Sequence, residues 1–502
     1  SDPAVLFAAP TEIFGPDNIG ESFLLGERTF ATDAYDAELT ALGAYTEAEV
    51  EASDRLRLSG KSLGVPCSGD AYAIEMGRQV LHVCPELPLA GGAAGPPAYR
   101  LFDPERQARG IYQALRLEPG ASVAIEHRQA GQRLLFSEPR DAFRRHLQVT
   151  HRGDELLFRD PISELGTYLS VLPPERGGVA FRDERLRRLD RVADLFGGPL
   201  QPLSPAAALA QIRDVNSRLI DDPWRRKDAL GNAGAVVELP PQPAPIIVGD
   251  LHARVDNLLT VLTENAFLDA LEAGEAVLVL LGDLIHSEED GELEDMAASV
   301  LMMDLVLALK RNWPDRVVLL MGNHESFSPD VMKGGVPQSV LWERCLREMR
   351  GDEYVQEMAL FYRGSPLVAL SADFLACHAG PPRRAVGLDA LIEAREQPAL
   401  VHELTWNRLK TRHWPGGYTR GDVKRFRKSL GLDDHLPFIV AHYPQSRDAT
   451  VWLDAGDIPQ HHIIYSARTD RVGLFTRVEG QLIAQIYPSE RLQDVLAARQ
   501  ST

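Results

Sequence analysis

Five short blocks in the second half of the chain each place a metal-binding residue type just after an apolar run. Asp250 and His252 follow residues 245–248. Asp283 follows 277–281 through Gly282. Asn323 and His324 follow 317–321 through Gly322. His378 follows 374–377, and His442 follows 438–441. Ionised Asp, neutral imidazole and an amide carbonyl are ligands for divalent metals. This mixture suits manganese, iron or zinc better than Mg²⁺, which prefers an all-oxygen octahedron. Two such ions about 3.5–4 Å apart clamp the attacking and leaving oxygens of an in-line phosphoryl displacement, and a carboxylate can bridge them. One Asp after a strand is ordinarily a helix N-cap. One buried His is ordinarily a hydrogen-bonded core residue. The five blocks taken in order, each ending an apolar run, point to a single metal centre.

The elements that must position these residues are legible in outline. Each apolar run is four or five largely aliphatic residues, as for a strand buried on both faces. Helical periodicity lies between the first three, over 255–271 (Leu258, Leu259, Leu262, Leu271) and over 293–309. Alternation of strand and helix predicts a largely parallel sheet, with the site at the C-terminal ends of its strands. The proline-rich stretch 239–245 reads as a semi-extended linker, because each Pro fixes its own φ and restricts its predecessor. The main domain boundary is expected there. Residues 183–230 read as helical, with Leu186, Leu189, Val192, Leu195 and Phe196 on one face. Ser204-Pro205 reads as an N-cap followed by proline at the first helical position. Residues 112–172 read as β-rich, with extended runs at 122–126, 133–136, 147–150 and 155–158 and a hairpin turn at 151–154. Residues 87–97 and 171–178 read as loops. Signals before residue 110 are sparse: a helix at 47–58 and a pair of strands within 71–83. The expected division is an unassigned region 1–110, a β-rich domain 111–175, a helical connector and linker 176–240, and a catalytic domain 241–490.

Composition narrows the partners. Lys and Arg total 53 against 72 Asp and Glu, a formal charge of 53 − 72 = −19. Such a chain is unsuited to a nucleic-acid backbone and is repelled by anionic membrane surfaces, so no nucleic acid and no membrane is expected. A phosphorylated substrate must be drawn in by a local positive feature. The four cysteines, Cys67, Cys84, Cys345 and Cys377, form no C-x-x-C pair and read as reduced thiols of a cytoplasmic protein. No apolar run reaches the ~18 residues of a membrane span.

The order D-x-H, G-D, G-N-H-E, H-A-G and a final His resembles the calcineurin-like metallophosphoesterases. Gly322-Asn323-His324-Glu325, Leu404-Thr405-Trp406, Arg420-Gly421 and Tyr465-Ser466-Ala467 are similar to landmarks of their phosphoprotein phosphatase branch, over residues 244–488. The resemblance implies an α/β fold, a central β-sandwich flanked by helices, preceded here by a β-rich region and a helical connector. It implies a two-metal phosphomonoester hydrolase, with two divalent ions, manganese first and iron or zinc next. Asp250, His252 and Asp283 would hold one ion. Asp283, Asn323, His378 and His442 would hold the other. A bridging hydroxide would attack phosphorus, His324 would protonate the leaving oxygen, and Arg420 would hold the phosphoryl oxygens. The second block departs from the family's G-D-x-x-D-R-G. His286 stands where an Asp orients the acid His, and Ser287 stands where an Arg binds phosphate. Glu288 or Glu289 is the expected substitute for the carboxylate, and Arg254, Arg447 or Arg468 for the cation. Arg408, Arg412 and His413 read as solvated surface, and the acidic run 288–295 as an exposed loop and helix start. The implied substrate is a phosphorylated protein or peptide. Alternatives are a small-molecule or nucleotide phosphohydrolase and a non-catalytic phosphate-binding scaffold. A wide groove without base-stacking aromatics favours the protein substrate; a closed pocket favours the small molecule.

Upstream, Leu117-Glu118-Pro119-Gly120, Arg144-Arg145-His146 and the run from Asp160 to Leu169 resemble a forkhead-associated domain, a β-sandwich that reads phosphothreonine. Phe143 and Leu165 occupy positions where that family carries polar phosphate contacts, and Glu126-His127-Arg128 replaces its Gly-Arg pair. The N-terminal region is therefore a candidate binder of a protein partner without phosphate reading. Titration calorimetry of the full chain with phosphothreonine peptides is expected to show no binding through residues 112–172. Binding abolished by Arg144→Ala or Arg128→Ala would overturn this.

Overall fold

The computed structural model describes residues 19–25, 28–33, 56–58, 62–67, 69–76, 79–87, 89, 96–104, 114–125, 147–160, 167–172, 178–447, 449–478 and 481–500. The chain divides into two compact units, Ala4–Arg187 and Arg188–Thr502.

Among the described residues, the N-terminal unit holds two six-stranded antiparallel sheets. One runs Ile19–Leu25, Arg28–Asp33, Ser62–Pro66, Glu155–Arg159, Leu147–His151, Ser122–Ile125. The other runs Leu56–Arg57, Thr167–Val171, Tyr72–Met76, Gln79–Pro85, Tyr99–Phe102, Ala114–Leu117. Leu63, Val65, Val149 and Phe158 of the first share one core with Ile74, Leu81, Tyr99 and Leu169 of the second. Strands with one face on a core bury alternate residues, as in Leu147–His151. The expected hairpin within 71–83 is present. The expected helix at 47–58 is replaced at its end by a strand. Leu56 and Leu58 are buried, and Leu56 pairs with Leu169. Residues 47–55, 126–128, 133–136, 143–146 and Leu165 lie outside the described residues, and with them most of the forkhead-associated landmarks.

The second unit is a sandwich of two mixed sheets. The seven-stranded sheet runs Arg225–Lys227, Ala233–Glu238, Val368–Leu370, Leu375–Cys377, Phe438–Val440, His461–Ile464, Val451–Trp452. The five-stranded sheet runs Val317–Leu319, Ala276–Leu280, Ala244–Val248, Arg471–Val478, Gln481–Pro488. Val237, Ala376 and Ile439 of one face Ile247, Val279 and Phe475 of the other. Helices cover the outer faces; Leu391, Leu400, Leu404 and Phe426 pack on the seven-stranded sheet. All five apolar runs are strands. The expected parallel sheet is found only in part. Three strands of the five-stranded sheet are parallel, and Arg471–Val478 and Gln481–Pro488 extend it antiparallel. The helix expected over 255–271 breaks into Val255–Thr263 and Phe267–Ala273, because Asn265 and Ala266 take φ of 44° and 54°. No helix among the described residues is long and apolar enough to cross a membrane.

The proline-rich stretch 239–245 carries the chain from one sheet to the other inside this unit, rather than between domains. Ala233–Glu238, just before it, pairs in parallel with Val368–Leu370. The helical connector likewise belongs to this unit from Arg188 onward. Pro205–Ile220 begins as expected, with the Ala207 amide donating to Ser204 Oγ at 3.4 Å. Asp304, in Ala297–Asn312, ties it down. Its Oδ2 accepts from the Leu203 amide at 2.9 Å, its carbonyl from Gln211 Nε2 at 2.9 Å, and its Oδ1 from Arg350 Nη1 at 2.6 Å. The Asp304 and Arg350 side chains are 0% and 1% exposed. Removing one partner of a buried ion pair leaves the other charge uncompensated, at about 3–5 kcal/mol. Asp304→Ala is expected to cost that much in urea denaturation; a loss under about 1 kcal/mol would mean that the pair acts as an exposed one.

Candidate metal centre

The five strand ends meet because glycines let them. A Cβ on Gly322 would lie 2.3 Å from Asp283 Oδ1, and Gly282 takes φ +99° with its Cα hydrogens against the Gly322 backbone. Non-glycine residues here also adopt the left-handed region: His252 (42°), Ala253 (61°), Asp283 (51°), His286 (68°) and His442 (68°). Such conformations persist only where surrounding contacts over-determine them. Glu325 supplies those contacts. Its buried carboxylate accepts from the amides of Asp283 (2.8 Å), Leu284 (2.8 Å) and Gly322 (2.9 Å), joining two ligand loops.

Hydrogen bonds set which atoms remain for a cation. His252 Nδ1 donates to the His286 carbonyl at 3.0 Å, leaving Nε2 bare at 3.8 Å from Asp250 Oδ2. His378 Nδ1 donates to the Leu281 carbonyl at 2.9 Å. Its Nε2 then converges with Asp283 Oδ2 at 3.2 Å and Asn323 Oδ1 at 3.1 Å. A backbone carbonyl on one imidazole nitrogen is the usual way a ligand histidine is oriented. Asp250 Oδ2 and His442 Nδ1 are buried with no hydrogen-bond partner. Asp250, His252 and Asp283 offer ligand atoms within 4.8 Å of one another, and so do Asp283, His378 and His442. Unpartnered buried polar atoms in two sets sharing Asp283 fit two divalent ions. Burial, and then Asp283, push the Asp250 carboxyl upward against the pull of His378. Burial pushes the His442 imidazole well down.

His324 closes the centre on a third side. Its amide donates to Asp283 Oδ1 at 2.9 Å, and its Nε2 stands 3.9 Å from Asp283 Oδ2. Its Nδ1 is 2.8 Å from Nδ1 of His286, and both rings are buried. Burial is the chief cause that lowers His324 to about 4 and His286 well below the ordinary range. One must donate and the other accept. Glu288 faces His252 instead, with Oε1 3.7 Å from Nε2, and accepts from Tyr465 Oη at 2.8 Å and Lys333 Nζ at 2.6 Å. Arg408 points Nε at His442 Nε2 from 3.3 Å, and its guanidinium packs on the rings of Trp414 (4.3 Å) and Tyr443 (4.5 Å).

Residues 246–470 match the family model of the calcineurin-like phosphoesterases. They form a calcineurin-like phosphoesterase domain. No curated protein matches the chain in sequence. Among solved structures, one similar to it is a protein serine/threonine phosphatase from Saccharomyces cerevisiae with similarity to human phosphatase PP5. That structure is 16% identical over 58% of this chain and 91% of its own, with a TM-score of 0.44. Another is the cold-active protein-tyrosine phosphatase of a psychrophile, Shewanella sp., 16% identical over 50% of this chain and 82% of its own, with a TM-score of 0.35. The phosphoesterase domain makes the chain a metal-dependent phosphoester hydrolase, and its Asp and His groupings are those that could hold the ions.

Of the residues singled out in the sequence, the phosphoesterase domain brings together Asp250, His252, Asp283, Asn323, His324, His378 and His442. It does not bring in Arg420. That residue opens the surface helix Arg420–Ser429, is exposed, and has the place of a first-turn residue behind the Thr419 cap. Arg254 is held 3.0 Å from Glu289, Arg468 lies over the Tyr465 ring at 4.9 Å, and Arg447 is exposed. Arg408 is the cation at the centre, not solvated surface. Its signal was its place two residues after Trp406 of the L-T-W landmark. Glu288 is half-buried rather than part of an exposed loop; it faces His252, Glu289 pairs with Arg254, and it is His286 that hydrogen-bonds His324. Lys333 and the clamping role of Glu325 gave no separate signal. In Glu325→Gln an amide NH₂ would face backbone donors. At about 1–3 kcal/mol per buried unsatisfied group, the variant should lose that much stability in urea and retain less metal. Unchanged stability and metal content would remove Glu325 from this role.

Proposed function

We propose that the phosphoesterase domain is a phosphomonoester hydrolase acting on phosphorylated protein side chains. The observation that carries it is the pair of ligand sets sharing Asp283 with His324 beside them. In this reading Asp250, His252 and Asp283 hold one ion, and Asp283, Asn323, His378 and His442 hold the other. Bound ions supply Lewis acidity and an activated water at neutral pH. The chain's own residues do the rest. Arg408 takes the role first assigned to Arg420. Once His442 Nδ1 is a ligand, its proton sits on Nε2, which can no longer accept from Arg408. The guanidinium donors then turn to phosphoryl oxygens, which they bind bidentately.

His324 gives its Nε2 proton to the leaving oxygen. As the imidazolium it carries a proton on each nitrogen, so its Nδ1 donates to Nδ1 of neutral His286, and loss of the Nε2 proton leaves a neutral ring. A neutral imidazole supports the protonated acid less than a carboxylate does. Poor leaving groups suffer most, because alkoxides need that proton and phenolates need it less.

A second reading, a small-molecule or nucleotide phosphohydrolase, is favoured by one observation. Trp414 and Tyr443 beside Arg408 are 43% and 41% exposed, and exposed rings can stack on bases as well as on side chains. Turnover of phosphopeptides beside nucleotides, with Mn²⁺ added after chelation, separates the two. Nucleotides hydrolysed and peptides not would replace the first reading by the second.

Two outcomes test the roles. Asp283→Asn should lose turnover and metal together, because it weakens the one ligand shared by both ions; near-normal activity would show that it bridges nothing. Native kcat/KM should be higher on phosphotyrosine than on matched phosphoserine peptides. His324→Ala should cost phosphoserine more, within the roughly 10²–10⁴-fold range of general acids. A better phosphoserine substrate, or equal losses on both, would contradict the weakened acid.

A further inference from the structure

The rings that hold Arg408 are placed to do more than hold it. Trp414 and Tyr443 both lie against its guanidinium, with centroids 4.3 and 4.5 Å from Cζ. Trp406 adds a third ring, edge-on to His442 at 6.0 Å and stacked on His402. The loop carrying Trp414 is closed by paired backbone hydrogen bonds between Thr411 and Trp414 at 3.2 and 3.1 Å. Tyr443 directly follows His442. Packing against Arg408 accounts for one face of each ring. It does not account for 43% and 41% exposure of two large aromatics at the edge of a phosphoryl site.

We propose that Trp414 and Tyr443, both packed on Arg408, form a subsite for the aromatic group of an aryl phosphate such as phosphotyrosine. This rests on the phosphomonoester hydrolase reading above. In an aryl phosphate the ring is joined to phosphorus through one oxygen, so a phosphoryl group on Arg408 brings the ring beside these side chains. A nucleotide interposes a sugar, and phosphoserine has no ring. Offset or edge-to-face pairing of a bound ring with either side chain adds affinity beyond the apolar area it covers.

The test is competitive inhibition of the metal-loaded full chain by phenylphosphonate and methylphosphonate, which share the phosphoryl-like head and are not hydrolysed. The phenyl compound is expected to bind roughly three- to ten-fold more tightly. Trp414→Ala and Tyr443→Ala should each bring that ratio towards one, while Trp414→Phe and Tyr443→Phe should preserve it. Arg408→Ala should weaken both compounds and leave the ratio. Equal inhibition by the two in the native chain, or a ratio that survives loss of both rings, overturns the subsite while the hydrolase reading stands. A preference for adenosine 5′-phosphonate over phenylphosphonate, lost in the same variants, overturns the aryl assignment. Absence of turnover on every phosphomonoester in the presence of Mn²⁺ overturns the hydrolase reading itself.

Discussion

Asp250 and Asp283, buried together with Glu325, are the constraint on which the second unit depends. Ionised carboxylates in a volume without water repel each other and are costly to desolvate. Burial drives His442, His286 and His324 towards their neutral forms, while the carboxylates raise His378 and His252 against it, so two of the five imidazoles carry the offset. Two divalent cations would resolve the conflict, with Asp250 Oδ2 and His442 Nδ1, which have no hydrogen-bond partner, open to them. Metal binding would then be part of the folding free energy of the centre, not an addition to a finished pocket.

The rest of the unit can be understood as what holds such a cluster in place. Two sheets packed face to face bring five strand ends to one edge of the sandwich. Left-handed backbone at Asp283, His286 and His442 turns their side chains towards the centre, and the Glu325 carboxylate keeps the loops from relaxing. Around this sit further polar and aromatic groups. His286 fixes the ring of His324. Tyr465 and Lys333 hold Glu288 beside His252. Trp414 and Tyr443 hold Arg408 beside His442.

The ligands were legible because each ends a buried strand, so an apolar run and a polar residue type sit side by side in the chain. The strands were legible for the same reason. Sheet direction was not. Arg471–Val478 joins Ala244–Val248 from more than 200 residues away, and nothing local to either segment sets an antiparallel partner. The short strand at Leu56 was hidden in the same way, its burial coming from a distant neighbour. The arginine was misplaced because Arg420-Gly421 matches a landmark by its letters. Thr419 and Asp422 make it the start of a capped surface helix, and the loop before it carries Arg408 to the centre instead. His286 was recognised as standing where the family has an Asp. That it keeps the Asp's position against His324, by an imidazole–imidazole hydrogen bond, required coordinates.

Anomalous diffraction from crystals of the manganese-loaded chain tests the central claim most directly. Two peaks about 3.5–4 Å apart, with the Asp283 carboxylate between them, are predicted. One of them should lie against Asp250 and His252, the other against Asn323, His378 and His442. A single peak, or two peaks of which only one touches Asp283, would contradict the account.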